Sequence, residues 1–183
     1  MRRVLPLALI AVASGVAGYF IYAGMAGQER SADDGLPPLP AAPQAAAIAP
    51  EFVLPDLAGT PRSSSEWHDT VRVVNFWATW CPPCIREIPL LVDVQQEYGG
   101  RGVQVLGIAM DETDAVLEFA AGMEFNYPVL IGQEDAVDLG NRFLDGFIGL
   151  PFTAFTDRDG RIVRVHSGEL HREQIEAILA ELL

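Results

Sequence analysis

The chain has 183 residues, half of them hydrophobic and a fifth charged, which suits one full-sized domain with appendages and excludes a wholly disordered chain. Its twelve basic residues, all arginine, face 25 acidic ones for a net charge of -13, and residues 51–183 carry the whole excess as nine Arg against 22 Asp and Glu. So acidic a domain repels phosphate backbones, which argues against nucleic acid as a partner, and two cysteines make neither a multi-disulfide framework nor a four-Cys zinc site.

Val4 to Gly27 is a run of 24 uncharged, mostly apolar residues. As a helix it spans about 36 Å, enough for a hydrocarbon core of about 30 Å. Arg2 and Arg3 precede the run and no basic residue follows before Arg30, so the positive-inside bias keeps the N-terminus in the cytoplasm and exports the rest. Residues 1–27 therefore read as a transmembrane signal-anchor, with the rest of the chain on the extracytoplasmic side of the cytoplasmic membrane. A cleaved signal peptide is the competing reading, since Gly24, Met25 and Ala26 form a small-x-small site. The length of the run favours the anchor, because a signal peptide's apolar region is usually about 7 to 15 residues. Residues 28–50, with five prolines and many alanines, read as a spacer of roughly 70 Å maximum reach.

The domain is expected over residues 51–183. Val71 to Ala78 is a continuous apolar run broken only by Asn75, the pattern of a strand buried on both faces. Pro82 and Pro83 then open a helix in which Ile85, Ile88, Leu91, Val92 and Val94 recur at helical spacing, ending at Gly99 and Gly100. Val103 to Met110 is the next buried strand, Asp114 to Gly122 a short helix, Tyr127 to Ile131 a strand and Glu134 to Leu144 a helix. Phe152 to Thr156 and Arg161 to His166 flank an Asp-Arg-Asp-Gly turn, and Leu170 to Leu183 is an amphipathic helix. The sum is an α/β sandwich around a mixed sheet.

Cys81-Pro82-Pro83-Cys84 stands where the buried strand hands over to the helix. Unsatisfied amides and the macrodipole at a helix N-terminus favour thiolate over thiol, so Cys81 is expected to attack a disulfide and the more shielded Cys84 to resolve the mixed disulfide. A static disulfide is the bland alternative, and so small a ring makes a poor staple. A metal site lacks further ligands, because His68, His166 and His171 are scattered. Beside the dithiol, Trp80 and Pro82 are candidates for a substrate surface, whereas Trp77 reads as core. Asn75 and Thr79 read as structural.

The run Phe76-Trp77-Ala78-Thr79-Trp80-Cys81-Pro82-Pro83-Cys84, with Pro89 five residues on, Gly149-Leu150-Pro151-Phe152-Thr153 ahead of the hairpin and the opening Pro50 to Gly59, resembles the TlpA/ResA group of membrane-anchored thiol-disulfide oxidoreductases within the thioredoxin superfamily. The likeness covers about Ile48 to Leu183. It implies a thioredoxin-like fold with a helix-strand insertion at about Thr113 to Gln133. It also implies a cis Pro151 beside the dithiol and a Leu150 backbone free to pair with an extended substrate. One departure is Phe152-Thr153-Ala154, where the group more often has Thr-Thr-Phe. The resemblance further places a functional glutamate at Glu87, against which stands the reading of a solvated helix acid paired with a neighbouring Arg.

The function implied is reduction of protein disulfides, for example those of apocytochrome c, with electrons from a membrane thiol transporter of the DsbD/CcdA type and with no cofactor or metal. Two other functions share the fold. A thiol peroxidase needs a Thr three residues before its first Cys, where this chain has Ala78, and a copper chaperone prefers Cys-x-x-x-Cys, one residue longer than the spacing here.

Overall fold

The computed structural model describes residues 47–146 and 149–183. The expected anchor at residues 1–27 and the spacer as far as residue 46 lie outside the described residues. No helix among the described residues is long and apolar enough to cross a membrane.

A five-stranded mixed sheet forms the centre. It consists of β3 (Val71–Trp77), β4 (Val103–Ala109), β5 (Val129–Ile131), β6 (Phe152–Thr156) and β7 (Ile162–Ser167), in the spatial order β5-β4-β3-β6-β7. The first three are parallel, β6 runs antiparallel to β3, and β7 runs antiparallel to β6 and so in the direction of the first three. All seven residues of β3 are buried, as a central strand covered on both faces requires. The strand expected from Tyr127 starts instead at Val129, because Pro128 has no N–H for the ladder and contributes only its carbonyl, which accepts from Gly107 N at 3.0 Å.

The helices α1 (Pro82–Tyr98), α2 (Thr113–Ala121), α3 (Gln133–Phe143) and α4 (Arg172–Leu182) fall within a residue or two of their expected bounds. Residues of α1, α2 and α4 cover one face of the sheet, with Ile88, Leu91, Val94, Val116, Ile175, Ile178 and Leu179 packed on Val71, Val73, Trp77 and Val105. Those of α3 cover the other, with Ala136, Leu139 and Phe143 on Val74, Phe76, Leu106 and Ile108. Phe76 stacks on Phe152 at 4.3 Å and meets Phe143 edge-on at 5.5 Å, which ties β3, β6 and α3 together. The expected helix-strand unit is present as α2 and β5 and supplies one edge of the sheet.

Two features differ from the sequence reading. A small hairpin, β1 (Val53–Pro55) with β2 (Pro61–Ser63), precedes the sheet. Its turn is made by Asp56, whose carboxylate accepts from the N–H groups of Ala58 and Thr60 at 2.9 and 3.0 Å, with Gly59 at φ +75°. Three-residue strands leave too little alternation to be recognised. The folded domain also begins before residue 51. Ala47 and Ala49 exchange hydrogen bonds with Ile162 and Gly160 at 2.8 Å, and Ala49 is buried, so residues 47–50 belong to the domain rather than to the spacer.

Candidate active site

β3 ends at Trp77 in the middle of the sheet, and the loop that follows is braced before α1 begins. Thr79 donates both its N–H (2.9 Å) and its hydroxyl (2.5 Å) to the Asp111 carboxylate beyond β4. Cys81 caps α1 in an extended conformation, and its Sγ lies 3.4 Å from the amide of Cys84. Pro82 and Pro83 fill the first helical turn, where a missing N–H costs nothing. Cys81 and Cys84 form a disulfide with 5.3 Å between their Cα atoms. Cys81 is 4 % exposed and Cys84 fully buried, so the capping sulfur is the one nearer solvent. Around them Trp80, 66 % exposed, and Pro82 stand out on the surface, while Trp77 is buried in the core.

The cis Leu150-Pro151 bond precedes β6. Pro151 is buried, and Leu150 packs against the cluster of buried residues that contains both cysteines. Gly168 N–H donates to the Pro151 carbonyl at 2.8 Å, so the short β7–α4 connection holds this loop in place.

The same connection reaches Glu87. One turn after Cys84 on the inward face of α1, Glu87 is only 1 % exposed. Its Oε1 accepts from Asn75 Nδ2 at 2.7 Å and its Oε2 from the Leu170 N–H at 2.8 Å. Burial raises its pKa to about 7, these two hydrogen bonds opposing the rise and the nearby Glu169 charge adding to it. The solvated, Arg-paired acid is therefore not what is found. Arg86, next in sequence but turned outward, pairs instead with Glu169. Tyr127 is pushed well above the usual phenol range, first by burial and then by the Glu87 charge.

Asn75, taken as structural from the sequence, is a partner of this acid. It also donates to Thr153 Oγ1 at 3.0 Å, its direct neighbour across the β3–β6 ladder. His166 stands opposite Thr153 on β7. Its Nε2 lies 3.3 Å from the Glu169 carbonyl oxygen, and burial holds its pKa below the ordinary value. Asn75, Thr153 and His166 thus form a polar row across three strands. The break that Asn75 makes in an apolar run was visible in the sequence, but its partners were not. Asp111 carried no sequence signal at all. Among the described residues, no three His, Cys, Asp or Glu side chains converge as metal ligands would.

Comparison with known proteins gives this geometry its context. The Redoxin family matches residues 44–183. The thiol-disulfide oxidoreductase ResA of Bacillus cereus is 29 % identical over 184 residues, covering 99 % of this chain and 96 % of its relative. ResA of Geobacillus thermodenitrificans is 30 % identical over 183 residues, 100 % of this chain and 94 % of that one. Among solved structures, a thiol:disulfide interchange protein of the thioredoxin family from Chlorobium tepidum superposes with a TM-score of 0.68 at 30 % identity, over 76 % of this chain and 97 % of the other. The pneumococcal exposed lipoprotein thioredoxin Etrx1 from Streptococcus pneumoniae does so with a TM-score of 0.63 at 27 % identity, over 73 % and 100 %.

Proposed function

Because the chain belongs to the Redoxin family and is a thioredoxin-like protein-disulfide oxidoreductase of the ResA type, we propose that it works as a membrane-tethered reductase of exported proteins. In this reading the Cys81 thiolate attacks a substrate disulfide and expels one substrate sulfur as thiolate. Cys84 gives its proton to the Glu87 carboxylate and attacks Cys81, expelling the second. Two electrons pass to the substrate, whose two thiolates take protons from solvent. Trp80, Pro82 and Leu150, the last held by the buried cis Pro151, form the surface on which an extended substrate lies. The observation that carries the reading is a disulfide at the N-terminus of α1 with a buried acid one turn further along the same helix.

The apolar run at residues 4–27 supports a single-pass anchor in the cytoplasmic membrane with the domain outside. A bacterial exterior has no glutathione buffer, so a reductase there needs re-reduction after each turnover. A spacer of roughly 70 Å maximum reach keeps Cys81 at high effective concentration near the bilayer, which suits docking on a membrane thiol transporter of the DsbD/CcdA type. Reduced apocytochrome c is the product that such a tethered reductase is proposed to supply. Trapping with Cys84→Ser in cells tests this. The expected outcome is mixed disulfides through Cys81 with a membrane transporter and with substrates, and wild-type protein recovered mostly reduced. Wild-type protein recovered mostly oxidised, coupled to a quinone-linked oxidase, would reverse the direction.

A further inference from the structure

The partner that Asn75 makes for Glu87 satisfies a carboxylate and, as it stands, offers the O–H of the neutral acid nothing to donate to. An amide N–H can only donate, so Nδ2 facing Oε1 at 2.7 Å serves an oxygen that accepts, as both oxygens of a carboxylate and the carbonyl oxygen of a carboxylic acid do. A neutral carboxylic acid carries an O–H that needs an acceptor. Asn75 has one in reserve: its Oδ1 is buried and accepts no hydrogen bond among the described residues. A half-turn of the amide brings Oδ1 to where Nδ2 stands. Thr153, 3.0 Å away, serves either orientation, because its hydroxyl accepts from Nδ2 or donates to Oδ1. The other groups around Glu87 have no such freedom. The Leu170 N–H only donates, Tyr127 feels the Glu87 charge, and Glu169 is held by Arg86. His166, across from Thr153, donates or accepts at the outer end of the row.

We propose that Asn75 is a positioning residue whose amide follows the protonation state of Glu87, donating to the carboxylate and accepting from the carboxylic acid. Glu87 then keeps a hydrogen-bond partner on both sides of its proton transfer with Cys84. The transfer is balanced: the Cys84 S–H bond breaks and a Glu87 O–H bond forms when the dithiol closes, and the reverse occurs when the disulfide is reduced. This deepens the reading of Cys81 and Cys84 as the redox pair and rests on it.

The test is an infrared titration of the Glu87 carboxyl in the oxidised full-length protein, alongside the pH dependence with which the reduced protein attacks dithiobis-nitrobenzoate. Asn75→Leu removes the donor that favours the carboxylate. It is expected to raise the carboxyl midpoint by about one pH unit, the bond lost to the charged form being worth more than the one lost to the neutral acid, and to move the C=O stretch of the protonated carboxyl upward because its O–H loses an acceptor. The rate profile should move with it, and the movement should vanish in a Glu87→Gln background. Should Asn75→Leu fail to fold, Asn75→Ser, too short to span the distance, carries the same expectation. A protonated-carboxyl stretch that stays at the wild-type frequency in a folded variant shows that Asn75 never accepted from the acid and overturns the proposal. A Cys81→Ser protein as reactive as wild type would instead sink the redox reading, while the wild-type titration still reports on Asn75.

Discussion

Glu87 and His166 are buried titratable groups whose shifts run in opposite senses, and each leaves its own mark on stability. A carboxyl with a raised pKa binds its proton more tightly in the folded state than in the unfolded chain. Its contribution is therefore fully present below about pH 4.5 and is lost as pH rises toward 7. Glu87→Gln removes that loss. Urea unfolding of the oxidised protein at pH 4 and pH 8 should show the variant gaining on wild type by up to about 3 kcal/mol across the interval. Parallel pH profiles would mean that Glu87 is solvated in solution. His166 is the reverse case. Its folded pKa is depressed, so the unfolded chain takes up the proton first and stability is lost as pH falls below about 6.5. His166→Leu should lose less stability than wild type between pH 7 and pH 5. These two effects were only half legible in the sequence. Glu87 lies within the stripe of Cys84, Ile88, Leu91 and Val94 that α1 buries, so its inward direction follows from helical period. That its neighbour Arg86 does not neutralise it does not, because Arg86 finds Glu169 across a separation of 83 residues.

At the level of elements, the dithiol is held by a loop that depends on another strand's exit. Asp111 receives two hydrogen bonds from Thr79, and removing it with Asp111→Ala leaves both donors unpaired. The expected outcome is a Thr79 amide that exchanges with solvent at least about tenfold faster, at a cost of about 1–3 kcal/mol in the stability of that loop. Unchanged exchange would show that α1 alone holds the loop. The start of the domain offers a second measurement. Residues 47–49 pair with the hairpin between β6 and β7, so a chain beginning at residue 51 should unfold about 1–3 kcal/mol more easily than one beginning at residue 44. Equal midpoints would return these residues to the spacer. Composition placed that boundary late because Ala and Pro carry no strand period, and only the partner strand shows that they are ordered.

Across the whole molecule, a net charge of -13 means that the dithiol works in a negative field. Reduced protein should therefore react faster with a cationic disulfide such as cystamine than with anionic dithiobis-nitrobenzoate of matched intrinsic reactivity, and high salt should narrow the ratio. A ratio indifferent to salt would show that the acids lie too far from Cys81 to steer. The order of the central sheet's strands and of the helices, the strand-to-helix handover and the dithiol at its hinge were determined by sequence alone, because hydrophobic period, proline position and Cys spacing are local properties. What only the tertiary structure decided is the company those residues keep. Asn75, Thr153 and His166 lie far apart in the chain and meet because the β3–β6 and β6–β7 registers set them side by side. Leu170 offers its amide to Glu87 because α4 packs back over the sheet. Strand register and the loss of solvent around a carboxyl are long-range outcomes of packing, and no local pattern encodes them.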